Sequence, residues 1–220
     1  MTDTRIIQRP AASTAIGSGP QELLLLLHGV GSSAQDLEPM GRFLAQQRPQ
    51  AWVVSVQSPL ASEGGRGWQW FSVMGISEAN RPARVAAAMP GFIDTVTHWQ
   101  RQAGADAAST TLIGFSQGAI MALESTQQGR TLAGRVVAIA GRFAQAPRRA
   151  PADTVLHLMQ GDQDRVMPPS LAIDAAAALR SLGGTVTLDE FAGLGHGIDA
   201  NVLRRIAERL EEDSRAQRPA

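Results

Sequence analysis

Thr111-Leu112-Ile113-Gly114-Phe115-Ser116-Gln117-Gly118-Ala119-Ile120 is the stretch whose reading decides the fold. A short apolar strand leads into a turn of the form G-x-S-x-G, and an apolar helix starts on its far side. This is the pattern of a nucleophile elbow. A serine on so sharp a strand-to-helix turn holds a strained backbone. Residues two before and two after it lie against neighbouring backbone, where a Cβ would clash, and glycine fits there. The turn projects the Ser116 hydroxyl beyond the sheet. The following helix aims its first N–H groups at the same point. In a chain with 22 glycines the pentapeptide alone could arise by chance. The strand before it and the helix after it give it meaning.

Outward from the elbow, apolar runs alternate with helical stretches. Leu23 to Leu27 is all leucine, too short for a helix before His28-Gly29, and fits a parallel strand buried on both faces. A helix is expected over about 34–47 and a strand over 52–56. A long irregular connection at 57–81 carries Trp68, Trp70, Phe71 and Met74, and connections of this length in compact domains are usually functional. The next helix, about 82–102, is expected to break or kink at Pro90-Gly91. Beyond the elbow come strands near 135–139, 154–159 and 185–190. The accompanying helices are near 119–127, 169–182 and 199–211. Arg5 to Gln8 reads as a short edge strand, 10–20 as a turn, and 214–220 as a frayed tail. The alternation implies a single α/β domain over 1–220, a mostly parallel doubly wound sheet flanked by helices. The strand order cannot be read from the pattern.

Composition narrows the chemistry. The formal net charge is zero, which gives no reason to expect a nucleic-acid or anionic-membrane partner. All 20 basic residues are arginine, so a Schiff-base or Ser-Lys mechanism is excluded. Cysteine is absent, which removes thiol nucleophiles and thiolate metal sites. Met1 to Pro10 does not read as a signal peptide, and no apolar run reaches membrane-span length, so the cytoplasm is the expected location. His and acidic residues rarely sit at metal-ligand spacing, and no metal is expected.

Ligands of open α/β sheets bind at the carboxyl ends of the strands. Four polar or glycine-rich clusters fall at such ends: 28–33, 114–118, 160–165 and 193–197. Ser116 is the candidate nucleophile, and its weakly acidic hydroxyl needs a neutral imidazole to take the proton. His196, in a glycine-flanked loop after the last strand, is the best-placed histidine. Asp164 is the candidate carboxylate to orient it, because Arg165-Val166-Met167-Pro168 turns directly into the next helix. Asp162 is the rival, read as a brace for that turn through backbone N–H groups. The order Ser, Asp, His is that of the α/β-hydrolases. The N–H groups of Val30 and Gln117 are candidate oxyanion donors. Gly29-Val30-Gly31 could also be a phosphate loop, but the chain has no Gly-Lys-Ser/Thr sequence. His28 is expected to bond within its own loop. Trp70, Phe71 and Val166 are candidate substrate-contacting side chains. The aromatic residues read equally well as core or as an acyl wall.

These residues carry a resemblance. Leu27-His28-Gly29-Val30-Gly31, Gly114-Phe115-Ser116-Gln117-Gly118-Ala119, Gly161-Asp162-Gln163-Asp164-Arg165-Val166 and Gly195-His196 are similar to the signatures of the phospholipase/carboxylesterase family of α/β-hydrolases. That family includes bacterial carboxylesterases and acyl-protein thioesterases. Trp70-Phe71-Ser72-Val73 and the run to Arg84-Val85 resemble a small bacterial esterase branch. The resemblance implies an α/β-hydrolase fold and a serine hydrolase acting on carboxylic esters or thioesters, without a cofactor. Between 52–56 and 110–113 the chain has only one loop and one helix, so no cap domain is expected, and the expected activity is that of a serine carboxylesterase cleaving short-to-medium acyl esters through an acyl-enzyme. A small-molecule ester or thioester is the implied partner. An acyl-protein thioesterase or lysophospholipase is the alternative within the same chemistry, and a silent hydrolase-like binding protein the alternative outside it. The chain departs from the pattern at Ser32, where family members often carry Asp.

Overall fold

The computed structural model describes residues 3–10 and 20–216. The turn expected within 10–20 and the last residues of the expected tail, 217–220, lie outside the described residues. Seven strands form one sheet: β1 (Arg5–Gln8), β2 (Leu23–Leu27), β3 (Trp52–Val56), β6 (Thr110–Phe115), β7 (Arg135–Ile139), β8 (Val155–Gly161) and β9 (Val186–Phe191). Their order across the sheet is β1-β3-β2-β6-β7-β8-β9. All neighbours are parallel except β1, which runs antiparallel along β3 at the edge. Between β3 and β6 lie a two-strand ladder, β4 (Leu60–Ala61) and β5 (Trp68–Gln69), and the helix α2 (Arg81–Ala103).

Alternation along the strands divides the core. Leu23, Leu25 and Leu27 point to one face with Val54 and Leu112, and meet the buried side of α2, of α3 (Gln117–Ser125) and of α4 (Pro169–Ser181). Leu24 and Leu26 point to the other, against α1 (Glu38–Gln47) and α5 (Ala200–Ala216). The five leucines are almost wholly buried. At about 1.5–3 kcal/mol for each buried side chain, this strand is a main source of cohesion. It also explains why five leucines form a strand: both faces of the sheet are covered.

Three expected boundaries shift. The 34–47 helix opens with a 3₁₀ turn at Ala34–Leu37. The long helix continues through Pro90 and Gly91 without a break. Ala86, Pro90 and Gly91 lie on its exposed side, so the Ala86 carbonyl that loses its partner faces water. Val85, Met89, Phe92, Val96 and Trp99 hold the other side in the core. The last helix runs to Ala216 rather than ending near 211.

The strand order places a topological switch at β2: β3 lies on one side and β6 on the other. Loops diverge at the carboxyl ends of β2 and β6, and the crevice of a doubly wound sheet opens there.

Candidate active site

Ser116 stands at the junction of β6 and α3, with φ 52° and ψ −114°. Its N–H donates to the Ile139 carbonyl of the adjacent strand (2.9 Å), which anchors the strained residue. The flanking glycines are required by close approach. A Cβ at Gly114 would lie 2.5 Å from the Ala119 nitrogen, and one at Gly118 would overlap the Leu27 carbonyl. α3 can therefore begin only if both positions lack a side chain.

Two other strand ends reach the same hydroxyl. His196 Nε2 lies 3.0 Å from Ser116 Oγ. On the other side of the ring, Nδ1 lies 2.8 Å from Asp164 Oδ2, to which it donates. An imidazole donating from Nδ1 turns its Nε2 lone pair toward the serine hydroxyl. Phe115 packs against the ring with centroids 5.0 Å apart. Asp164 is almost wholly buried. Burial pushes its carboxyl up, but the Met167 N–H, the His196 ring and the Val166 N–H together hold it below the usual carboxylate range. Both backbone N–H groups donate to Oδ1 at 2.8 Å. Gln160 Nε2 adds a longer bond to Oδ2, 3.3 Å.

Asp162 serves elsewhere. Its Oδ1 accepts the Gly193 N–H at 2.7 Å, so it ties its own turn to the loop that carries His196. The brace crosses between two loops, where the sequence pattern suggests one confined to a single turn.

The candidate oxyanion donors lie on the loop after β2 and on the first residue of α3. Among the described residues neither the Val30 nor the Gln117 N–H has a hydrogen-bond partner. The two segments are adjacent: a Cβ at Gly29 would be 3.2 Å from Ser116 Cβ. The departure at Ser32 is compensated nearby. Asp36 accepts from the Ser32 hydroxyl (2.7 Å) and from the Ser33 N–H (2.9 Å), so a carboxylate four residues further on braces the loop.

His28 does more than bond within its own loop. Its Nδ1 donates to the Gly29 carbonyl (2.7 Å), while Nε2 accepts from the Ser58 N–H and from Gln57 Nε2, both at 3.1 Å. It thereby joins the ends of β2 and β3. The side chain is fully buried, and burial lowers its pKa. The signal for this role was the position itself, a histidine directly ending a buried strand.

Among the candidate substrate contacts, Trp70 and Phe71 are both core residues, each 3% exposed. They also line a groove of about 650 Å³ together with Leu60, Ala88, Gly91 and Phe92. Ser116 and His196 are not among the residues lining that groove. Val166 is 62% exposed beside Asp164. The 57–81 connection is held at several points. Glu63 accepts from the Ser72 hydroxyl, Arg84 donates to the Ser72 carbonyl, and Arg142 reaches Glu78 with both terminal nitrogens. Among the described residues no group of three or more His, Cys, Asp or Glu could hold a metal ion, and no helix is long and apolar enough to cross a membrane.

Comparison with known proteins places this geometry. The family model described as Phospholipase/Carboxylesterase matches residues 12–213. Esterase YpfH of Escherichia coli (strain K12) is 50% identical over 190 residues, 86% of this chain and 82% of that protein. The crystal structure of esterase PE8 superimposes with a TM-score of 0.81 at 29% identity, covering 93% of this chain and 96% of that one. The Bacillus cereus carboxylesterase has the same fold, with a TM-score of 0.75 at 18% identity over 87% of this chain and 88% of the other. The seven-stranded sheet without a cap domain is thus an α/β-hydrolase fold, and the chain belongs to the phospholipase/carboxylesterase family.

Proposed function

We propose that the protein is a serine carboxylesterase that cleaves short-to-medium acyl esters through an acyl-enzyme. The observation that carries this reading is the continuous chain Ser116 Oγ, His196 Nε2, His196 Nδ1, Asp164 Oδ2 at the carboxyl ends of three strands. In the first step Ser116 Oγ attacks the ester carbonyl while its proton passes to His196 Nε2. The carbonyl oxygen becomes negative and accepts hydrogen bonds from the Val30 and Gln117 N–H groups. The tetrahedral intermediate collapses, the alcohol departs with the proton from His196, and the acyl group stays on Ser116. Water then repeats the sequence, releasing the acid and restoring the serine. Asp164 fixes the imidazole's tautomer and stabilises its charged form. No cofactor enters any step.

The relatives named esterase, one of them half identical to this chain, support the reading. So do the Val30 and Gln117 amides, which have no hydrogen-bond partner among the described residues. A fluorophosphonate probe tests it. The wild type is expected to label at one equivalent and to hydrolyse p-nitrophenyl esters. Ser116→Ala is expected to do neither, since removing the nucleophile of such a unit costs on the order of 10⁶ in turnover. Near-normal hydrolysis by a clean Ser116→Ala preparation, or a folded wild type that does not label, would overturn it.

A further inference from the structure

The two proposed oxyanion donors belong to different elements, and their spacing must be set by something. Apart from the β2–β6 ladder beneath them, no hydrogen bond among the described residues joins the 28–32 loop directly to Ser116 or Gln117. The connection runs through a third segment. Gly31 N–H donates to the Trp68 carbonyl (2.9 Å), and Trp68 N–H donates back to the Ser32 carbonyl (2.8 Å). The Trp70 indole Nε1 donates to the His28 carbonyl (2.9 Å). On its other side the same segment meets the Gln117 side chain. Gln117 Oε1 accepts the Trp70 N–H and Gln117 Nε2 donates to the Phe71 carbonyl, each at 2.7 Å. Trp70, Phe71 and Gln117 are all buried, so these bonds do not compete with water.

We infer that residues 68–71 are a splint for the oxyanion hole, with the Gln117 carboxamide and the Trp70 indole as its positioning side chains. This rests on the proposed roles of Ser116 and the two amides. A carboxamide is chemically suited to such a tie, because one group accepts from a main-chain N–H and donates to the next carbonyl, as a neighbouring strand would. Gln117 thus holds two jobs. Its own N–H is an oxyanion donor, and its side chain ties that donor's residue to the segment that holds the Val30 loop. Donors must sit about 2.7–3.1 Å from the developing oxyanion, so a small slip of either loop weakens transition-state binding.

The test uses Trp70→Phe, which deletes the indole bond without adding charge, and Gln117→Glu. Activity is expressed per serine titrated with the fluorophosphonate, so misfolded protein does not count. For Trp70→Phe, kcat/KM on p-nitrophenyl butyrate is expected to fall roughly 10- to 100-fold, and affinity for a trifluoromethyl ketone, which adds to the serine and fills the hole, by the same factor. Gln117→Glu carries a second readout. A protonated carboxyl can donate to the Phe71 carbonyl and accept the Trp70 N–H, whereas the carboxylate cannot donate. The position is buried, which raises a carboxyl above its ordinary value of about 4.3, so the variant-to-wild-type ratio of kcat/KM should fall as pH rises from about 5 to 9. Unchanged kcat/KM and ketone affinity per titrated Trp70→Phe serine, or a flat Gln117→Glu ratio, would overturn the splint. Failure of the wild type to titrate would instead sink the serine-hydrolase reading.

Discussion

At the scale of single residues, the decisive contrast is between two aspartates on one turn. Asp164 receives two backbone N–H groups on Oδ1 and the His196 ring on Oδ2, while Asp162 holds Gly193. Asp164→Asn puts an amide where a carboxylate accepts from Nδ1 and favours the wrong imidazole tautomer. Turnover is expected to drop by up to about 10⁴ with little loss of fold. Asp162→Asn keeps an acceptor for Gly193 and should cost far less. If Asp162→Asn proved the crippling change, the assignment of the carboxylate would be wrong. His28 makes a prediction about stability. Its Nε2 accepts two hydrogen bonds, so protonation would set a donor against donors, and burial lowers its pKa. The folded state then binds fewer protons here than the unfolded chain does. This contribution is fully present above the ordinary histidine value, about 6.5, and is lost as pH falls below it, by at most about 1.4 kcal/mol per pH unit. Urea midpoints at pH 7.5 and 5.5 should therefore converge when His28→Gln is compared with wild type. An unchanged gap between the two proteins at both pH values would refute this. The meeting of Ser116, His196 and Asp164 was legible because all three fall at strand ends with turn residues around them. The bonds of Gln57 and of the Gln117 side chain were not, because their partners lie 29 and 47 residues away.

At the scale of elements, α5 shows how a helix can be specified twice. Val202, Ile206 and Leu210 form its fully buried stripe, at helical spacing legible in the sequence. Its polar anchors were not legible, since each depends on which strands lie beneath. Arg209 forks onto Asp189 of β9 at 2.7 and 3.0 Å. Asp213 receives Arg135 of β7 at 2.5 Å and His157 of β8 at 2.9 Å. Asp213 is mostly buried. That burial pushes its carboxyl up, but His157 and Arg135 together outweigh it and hold the carboxyl below its ordinary value. The stabilisation is therefore present above the unfolded value, about 3.9, and is lost as pH falls through the folded one, so it serves at neutral pH and fails in acid. Asp213→Asn would leave the Arg135 guanidinium, itself 10% exposed, without its counter-charge. Breaking such a pair typically costs about 3–5 kcal/mol. A clear drop in urea midpoint at pH 7 is expected, with most of it recovered in an Arg135→Met, Asp213→Leu double variant. A midpoint unchanged in Asp213→Asn would show that the apolar stripe alone docks the helix. The 57–81 connection is the opposite case. Its aromatics announce importance in the sequence, but it takes the pairing of Trp68 with Ser32 and the Trp70 indole bond to His28 to show that the segment leans on the loop carrying the proposed oxyanion donor.

At the scale of the whole molecule, the alternating pattern yields the α/β class and the strand ends, whereas strand order is a matter of pairings between distant segments. β2 is second in sequence yet third across the sheet, and that displacement is what brings the His28–Ser33 loop beside the elbow. On the proposed reading the same topology limits the substrate. Between β3 and β6 the chain inserts only a short ladder and one helix, so no cap domain stands there to cover a long acyl chain. Trp70 and Phe71 bond through their backbones to Gln117, and their side chains line the groove toward α2. On the proposed reading they close the acyl side of the site and separate it from that groove. Each buried CH₂ contributes about 0.8 kcal/mol, nearly fourfold in binding, until the space is filled. We expect kcat/KM on p-nitrophenyl esters to rise from acetate to butyrate or hexanoate and to fall for longer chains. Short thioesters should be cut as well, because the oxyanion donors read the carbonyl oxygen and not the leaving group. Peptide amides should not be cut at comparable rates. Phe71→Ala should shift the optimum toward longer chains by opening the partition. A truncation of this kind typically costs about 3–5 kcal/mol of stability, so the comparison is made per titrated serine and well below the variant's melting temperature. Palmitoyl esters as the best substrates of the wild type would instead favour an acyl-protein thioesterase or lysophospholipase. An unchanged profile in Phe71→Ala would leave Phe71 as core alone.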